Sequence, residues 1–391
     1  MEVVEVVEVD GCDISSGPGT VIPREREQRS FPGQAVLREE DILLSPVFID
    51  FLARWLDGME GIHEQWFDQR SESLSSAGRQ MRHTAEARLQ RVVTHPTSQT
   101  AVSEVYRFLR GFCSEPYRVL QEIHSRFDFV VVAGIARTGG SYLTGELFKA
   151  LGFEPERVPA AIAHDGIPEA SPVTLMKQAN AWLNTLMSAS EYLVMLGLYF
   201  SSAAADRRVI VPKKLTKGIY APHFFKALFG ANAEYLVTIR NPVAACISTY
   251  EKSGGLPAGG CFRTRSAIER WIKRDLFLSG ISLQELRNLN YFSAYVLYWE
   301  QFYIKLALSG LVNVRTGRVV PFGKQSMEEV ARGLHDRYGG GRSVSEFVSS
   351  SGAQSRHPEW EARSDEAIGR VASVWQSVGL PFPVEELRQC Q

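Results

Sequence analysis

The sequence predicts an α/β protein, a parallel β-sheet flanked by helices, with a helical extension ahead of it. Two stretches carry that prediction. Phe129 to Ala133 and Leu236 to Ile239 are short apolar runs rich in β-branched residues, too brief for buried helices and suited to central parallel strands. Each passes through a tight turn straight into a helical pattern, which is the strand–turn–helix unit of such sheets. The third observation is that the periodicity from Glu40 to about His124 is helical, so the sheet begins only near residue 127.

The first unit is Phe127-Asp-Phe-Val-Val-Val-Ala-Gly-Ile-Ala-Arg-Thr-Gly-Gly-Ser-Tyr142, continuing to Gly152. Gly134 to Gly140 gives the backbone freedom a tight turn needs. From Ser141 onward Leu143, Leu147, Phe148 and Leu151 fall on one helical face, and Gly152 stands where a C′ residue belongs. Free backbone N–H groups and a helix N-terminus then meet at one point, a ready phosphate site. Gly134 and Gly139 have Walker A spacing, but Gly140-Ser141 stands where an NTPase needs Lys followed by Ser or Thr. The β/γ-phosphate clamp of ATP chemistry is therefore missing, and the cation is Arg137, inside the loop.

The second unit is Glu234-Tyr-Leu-Val-Thr-Ile-Arg-Asn-Pro-Val-Ala-Ala-Cys-Ile-Ser-Thr-Tyr250. Pro242 suits the first position of a helix. Arg240 thus ends a strand, where open α/β sheets place their ligand crevice, and Ser248 lies far enough along the helix to face it.

Together the two units resemble the phosphate motifs of sulfotransferases that use 3′-phosphoadenosine 5′-phosphosulfate (PAPS). Arg137, Thr138, Gly139, Gly140, Ser141 and Tyr142 are similar to the 5′-phosphosulfate loop. Arg240, Asn241, Pro242 and Ser248 are similar to the 3′-phosphate motif, in the family's order. The likeness covers roughly residues 127–255 and fades afterwards. It implies a P-loop NTPase-like sulfotransferase fold and metal-free, in-line sulfonyl transfer from PAPS to a hydroxyl or amine of a small-molecule acceptor. Arg137 would clamp charge at the departing 5′-phosphate. Lys213 or Lys214, at the end of the strand Arg208–Leu215, would reach the sulfonate, and the sequence leaves that choice open. His164 is the first candidate for a general base and Glu169 the second. Arg342 stands near a third family element, Arg-Lys-Gly, from which Tyr338-Gly-Gly-Gly-Arg342 departs.

In chain order, residues 1–38 read as poorly ordered, 39–125 as a helical region and 126–391 as the α/β domain. Residues 171–205 read as helix, broken or joined near Met187–Glu191, with Trp182, Met187, Tyr192, Met195 and Tyr199 serving either an apolar or aromatic acceptor or simply the core. A helix is expected from Tyr220 to Phe229, and helices over 264–309. Val312–Phe322 reads as an edge strand, with helices to follow at Ser326–His335 and Ala362–Val378. A net charge of −1 with 45% hydrophobic residues argues against a nucleic-acid partner and for a substantial core. Five cysteines without C-x-x-C spacing read as reduced thiols, and no apolar run is long enough to span a bilayer, so a cytoplasmic protein is expected. A homodimer is allowed. The rivals are a P-loop kinase or NTPase with a degenerate loop, and a non-catalytic nucleotide-binding relative. A Rossmann dehydrogenase is disfavoured because no G-x-G-x-x-G follows the first strand.

Overall fold

The computed structural model describes residues 44–58, 92, 94–163, 181–201, 208–339, 343–348 and 358–389. His164, Glu169 and Arg342 lie outside the described residues, as does the segment 1–38.

Four strands form one fully parallel sheet in the order β2-β1-β3-β4. They are β1 (Phe127–Ala133), β2 (Val209–Leu215), β3 (Glu234–Ile239) and β4 (Gly317–Pro321). β1 begins at Phe127, two residues before the apolar run suggested, because its ladder with β2 pairs Phe127 with Val209. From β1 the chain goes outward to β2, then returns across β1 to β3. The C-terminal ends of β1 and β3 therefore flank the point where the winding reverses, the usual ligand crevice of such sheets.

Alternation along β1 sorts the core into two faces. Phe129, Val131 and Ala133 join a large cluster with Tyr235, Val237 and Ile239. Val130 and Val132 join a smaller one with Leu236 and Val320. The smaller face is covered by α4 (Gly140–Ala150) through Leu143 and Leu147, and by α12 (Lys324–Tyr338) through Met327, Val330 and Leu334. The larger face packs under α11 (Tyr291–Leu308), whose Trp299, Phe302, Tyr303 and Leu306 are all buried.

The helical extension supplies α1 (Pro46–Leu56), α2 (Pro96–Ser114) and α3 (Pro116–Arg126). Each starts with Pro in its first turn, where the missing N–H costs nothing. Phe48, Ile49, Val105, Phe108 and Ile123 enter the same cluster as the larger sheet face. A short turn, α5 (Ala160–Ala163), precedes α6 (Ala181–Tyr199). Of the two readings left open near Met187–Glu191, broken or joined, the structure shows α6 running unbroken, with Met187, Ala189, Tyr192 and Leu193 all buried in the core.

α7 (Pro222–Phe229) ends at Gly230 as the sequence suggests, and α8 (Pro242–Lys252) follows β3. The stretch 264–309 resolves into α9 (Ala267–Leu278), α10 (Leu283–Asn288) and α11. Ser266 with Glu269, and Ser282 with Glu285, form capping boxes that set the starts of α9 and α10. α13 (Pro358–Ser377) precedes the terminal α14 (Val384–Gln389), a short helix the periodicity does not reveal. No helix among the described residues is long and apolar enough to cross a membrane.

Candidate functional site

The turn between β1 and α4 has two left-handed residues, Arg137 at φ 70° and Gly139 at φ 89°. Among the described residues Arg137 is the one non-glycine with positive φ, a conformation that costs a side-chain-bearing residue about 1–2 kcal/mol. Such a backbone turns successive N–H groups toward one side, and α4 adds its N-terminus to the same concavity. Gly134 is required by contact: a Cβ there would fall 2.3 Å from Thr238 Oγ1 and 2.6 Å from the Thr238 carbonyl oxygen. The turn is thus pressed against β3. Thr138 fixes it from inside, donating to the Ile135 carbonyl at 2.8 Å, with its hydroxyl 2.9 Å from that of Thr238.

Arg240 directly follows β3 and is 9% exposed. Its carbonyl accepts from Trp299 Nε1 at 2.9 Å, and Tyr303 donates to the Thr238 carbonyl at 2.7 Å, so α11 pins the strand end by its backbone. The Arg240 guanidinium donates to the Arg137 carbonyl at 3.3 Å and lies 4.0 Å from the centre of the Phe322 ring. Asn241 caps α8, accepting from Val243 and Ala244 N–H, and Pro242 follows at the first helical position. That start sets the phase of α8 so that Ser248 Oγ accepts from Arg137 Nε at 2.9 Å, across 111 residues of sequence. The two sequence motifs therefore meet at Arg137.

The two lysines of β2 part company, as neighbours on a strand must. Lys214 faces the smaller core face, and its Nζ donates to Ser141 Oγ at 3.1 Å, at the mouth of the loop. Lys213 faces the other way. It is fully buried, donates to the Ala161 and Ile162 carbonyls at 3.2 and 3.1 Å, and lies 4.3 Å from the Tyr192 ring centre. The structure brings Lys214 to the loop and leaves Lys213 closing the end of α5.

Tyr142, the last residue of the loop motif, turns away from the crevice. Its hydroxyl donates to the Ser345 carbonyl at 2.9 Å, and burial, with Glu146 and Glu328 nearby, pushes it up to about 12. Met187, Tyr192 and Met195 are buried in the core, and Tyr199 stacks on Phe153. Phe322 and Thr238 escaped the sequence reading. No spacing rule marks them, since they act by meeting the motif residues across the sheet.

No protein family matches the chain, and no curated protein does. Two solved structures are similar to it in chain course. One is a sulfotransferase from Alicyclobacillus acidocaldarius, 15% identical, with 65% of this chain and 95% of that one covered and a TM-score of 0.34. The other is a sulfotransferase domain from the curacin biosynthetic pathway, 13% identical, with 68% and 96% covered and a TM-score of 0.32. At those TM-scores the likeness says nothing about individual residues.

Proposed function

We propose that the protein is a sulfotransferase that binds PAPS at the β1 turn and the end of β3. The observation that carries this reading is the convergence of Arg137, Arg240 and Ser248, with the Arg137 side chain on Ser248 and its carbonyl on Arg240. Two fixed cations, a hydroxyl and a left-handed turn at a helix N-terminus suit a nucleotide bearing two separate phosphate groups. A Walker-type site would concentrate its charge on one polyphosphate chain instead.

Bound PAPS would supply an activated sulfonate, its S–O bond to the 5′-phosphate breaking as a new one forms to the acceptor oxygen or nitrogen. The chain's part is positioning and charge stabilisation. Arg137, the turn's N–H groups and Ser141 face the charge that develops on the departing phosphate. Lys214, already on Ser141, stands where it can follow the sulfonate. Arg240 and Ser248 hold the 3′-phosphate. Arg342, outside the described residues, is retained as a candidate third contact to that phosphate. The acceptor's proton goes to a base, for which His164 is the first candidate and Glu169 the second. The acceptor is a small molecule, and the protein acts in the cytoplasm.

The test is calorimetric titration with 3′-phosphoadenosine 5′-phosphate (PAP) without metal, beside ATP with Mg²⁺, on wild type and Arg240→Ala. Micromolar PAP binding that Arg240→Ala abolishes is the expected result. ATP–Mg²⁺ binding alone would overturn the proposal in favour of a kinase or NTPase.

A further inference from the structure

Phe322 sits at a junction that the two phosphate motifs do not account for. It directly follows β4, and its N–H donates to the Ile239 carbonyl at 2.7 Å, which extends the β3–β4 ladder to the residue beside Arg240. Its ring lies 4.0 Å under the Arg240 guanidinium. The same ring approaches the loop: a Cβ on Gly139 would be 3.4 Å from Phe322 Cδ2. One ring thus carries the cation of one motif on its face and has an edge atom close to the turn of the other.

The ring is in turn held from behind. Phe347 packs edge-on against Phe322 with centroids 5.1 Å apart, and edge-on against Tyr142 at 4.9 Å. Residues 343–348 pass over α4 as a strap, and Ser345 fastens them to it. The Ser345 carbonyl accepts from the Tyr142 hydroxyl at 2.9 Å, its N–H donates to Glu146 at 3.2 Å, and its hydroxyl accepts from Lys149 Nζ. Those three side chains lie along one face of α4, the helix that opens at the phosphate loop. Glu146 is 3% exposed and also accepts from, or pairs with, His335 Nε2 at 3.1 Å, so the fastening is buried. The Phe347 N–H is taken by Glu328 at 3.1 Å.

We propose that Phe322, kept in place by Phe347 and the Ser345 fastening, is a positioning residue that aims the Arg240 guanidinium and so sets preference for a 3′-phosphorylated nucleotide. A guanidinium has several rotamers, and an unsupported one must be ordered each time a phosphate arrives. An aromatic face beneath it fixes its plane without itself occupying any of its edge N–H groups. This inference rests on the proposed function, since it refines the site that would take the 3′-phosphate.

The test compares affinity for PAP with that for adenosine 5′-phosphate, which lacks the 3′-phosphate, by calorimetry. Phe322→Leu keeps an apolar side chain and removes the π face. Phe322→Tyr keeps the face and serves as rescue. Phe347→Leu loosens the support. Phe322→Leu is expected to lose about tenfold in PAP affinity, the scale of a partly desolvated cation–π contact, with adenosine 5′-phosphate affinity unchanged. Phe347→Leu should lose less in the same direction, and Phe322→Tyr should match wild type. An unchanged ratio in Phe322→Leu, with wild-type PAP binding intact and sensitive to Arg240→Ala, overturns this inference alone. Equal loss for both nucleotides also overturns it, since that is plain structural damage. Failure of wild type to bind PAP removes the proposed function and this inference together.

Discussion

The crevice side of the sheet and the α1–α6 side both bury charge, but they do it for different ends. At the crevice, Arg137 and Arg240 are cations held by a carbonyl, a hydroxyl and an aromatic ring. A carbonyl, a hydroxyl and a ring face do not themselves neutralise a guanidinium. On the other side Glu191 of α6 is fully buried and spends both oxygens on Ser45, taking its N–H and its hydroxyl at 2.6 Å each. That residue is also the N-cap of α1. One arrangement sets cations on neutral groups; the other uses a carboxyl to tie a helix down. The partners differ, and so does burial, since Arg137 is half-buried where Glu191 is fully enclosed.

The largest effect is expected at the crevice. Arg240→Ala should weaken PAP binding by roughly 2–5 kcal/mol, the range for removing one member of a buried charge-assisted contact. Folding should survive, since Trp299 bonds the backbone of residue 240 and not its side chain. If calorimetry finds PAP affinity within threefold of wild type, the crevice does not use this cation and the comparison fails at its first term.

On the other side the expected signature is pH-dependent stability. Burial pushes the Glu191 carboxyl from 4.5 up to about 7, against the lowering effect of its Ser45 bonds. A folded-state value above the unfolded one means that the folded protein keeps a proton the unfolded chain has released. The stabilisation is complete below about 4.5 and is lost as pH rises through about 7. The shift corresponds to something on the order of 3 kcal/mol. Urea midpoints of wild type should therefore fall between pH 5 and pH 8, and those of Glu191→Gln should fall much less. Parallel curves for the two proteins would show that another group carries the slope.

A third test uses the neighbouring lysines, which sample the two sides from one strand. Lys214→Ala should lower PAP affinity with little change in melting temperature, by roughly 1.5–3 kcal/mol if its ammonium meets an anion. Lys213→Met should do the reverse. It leaves the Ala161 and Ile162 carbonyls without their donor, at about 1–3 kcal/mol of stability, and leaves nucleotide binding alone. Identical behaviour of the two variants would mean that strand alternation does not divide their roles.

The lysines also mark how far sequence reading reaches. Strand, turn and helix around residues 127–152 and 234–252 were legible because apolar periodicity, Gly139, Pro242 and Asn241 are local signals that local physics enforces. Arg240 at a strand end and Ser248 facing it followed from the same logic. The choice between Lys213 and Lys214 was not legible, because it depends on which face of β2 meets α4, a matter of register with β1. Phe322 was hidden for a similar reason: its neighbours Arg240, Gly139 and Phe347 are contacts across the sheet and the strap. Whether α6 is broken or joined near Met187–Glu191 stayed open in the sequence because the answer depends on tertiary burial, which holds it as one helix.

The smallest effect separates the buried fastening of the strap from its exposed one. Residue 346 also reaches outward, its carboxylate pairing with Lys324, and both side chains are largely in solvent, 69% and 60% exposed. An exposed pair gains little over hydrated ions and is screened by salt. Glu346→Ala should therefore leave both melting temperature and PAP affinity unchanged at low and high ionic strength. The strap would still hang on Ser345, gripped by Tyr142, Glu146 and Lys149, and on Phe347 against Phe322. A salt-dependent loss of PAP affinity in Glu346→Ala would instead place the hold on the surface, and the route from the strap to Arg240 would then not run through the aromatic pair.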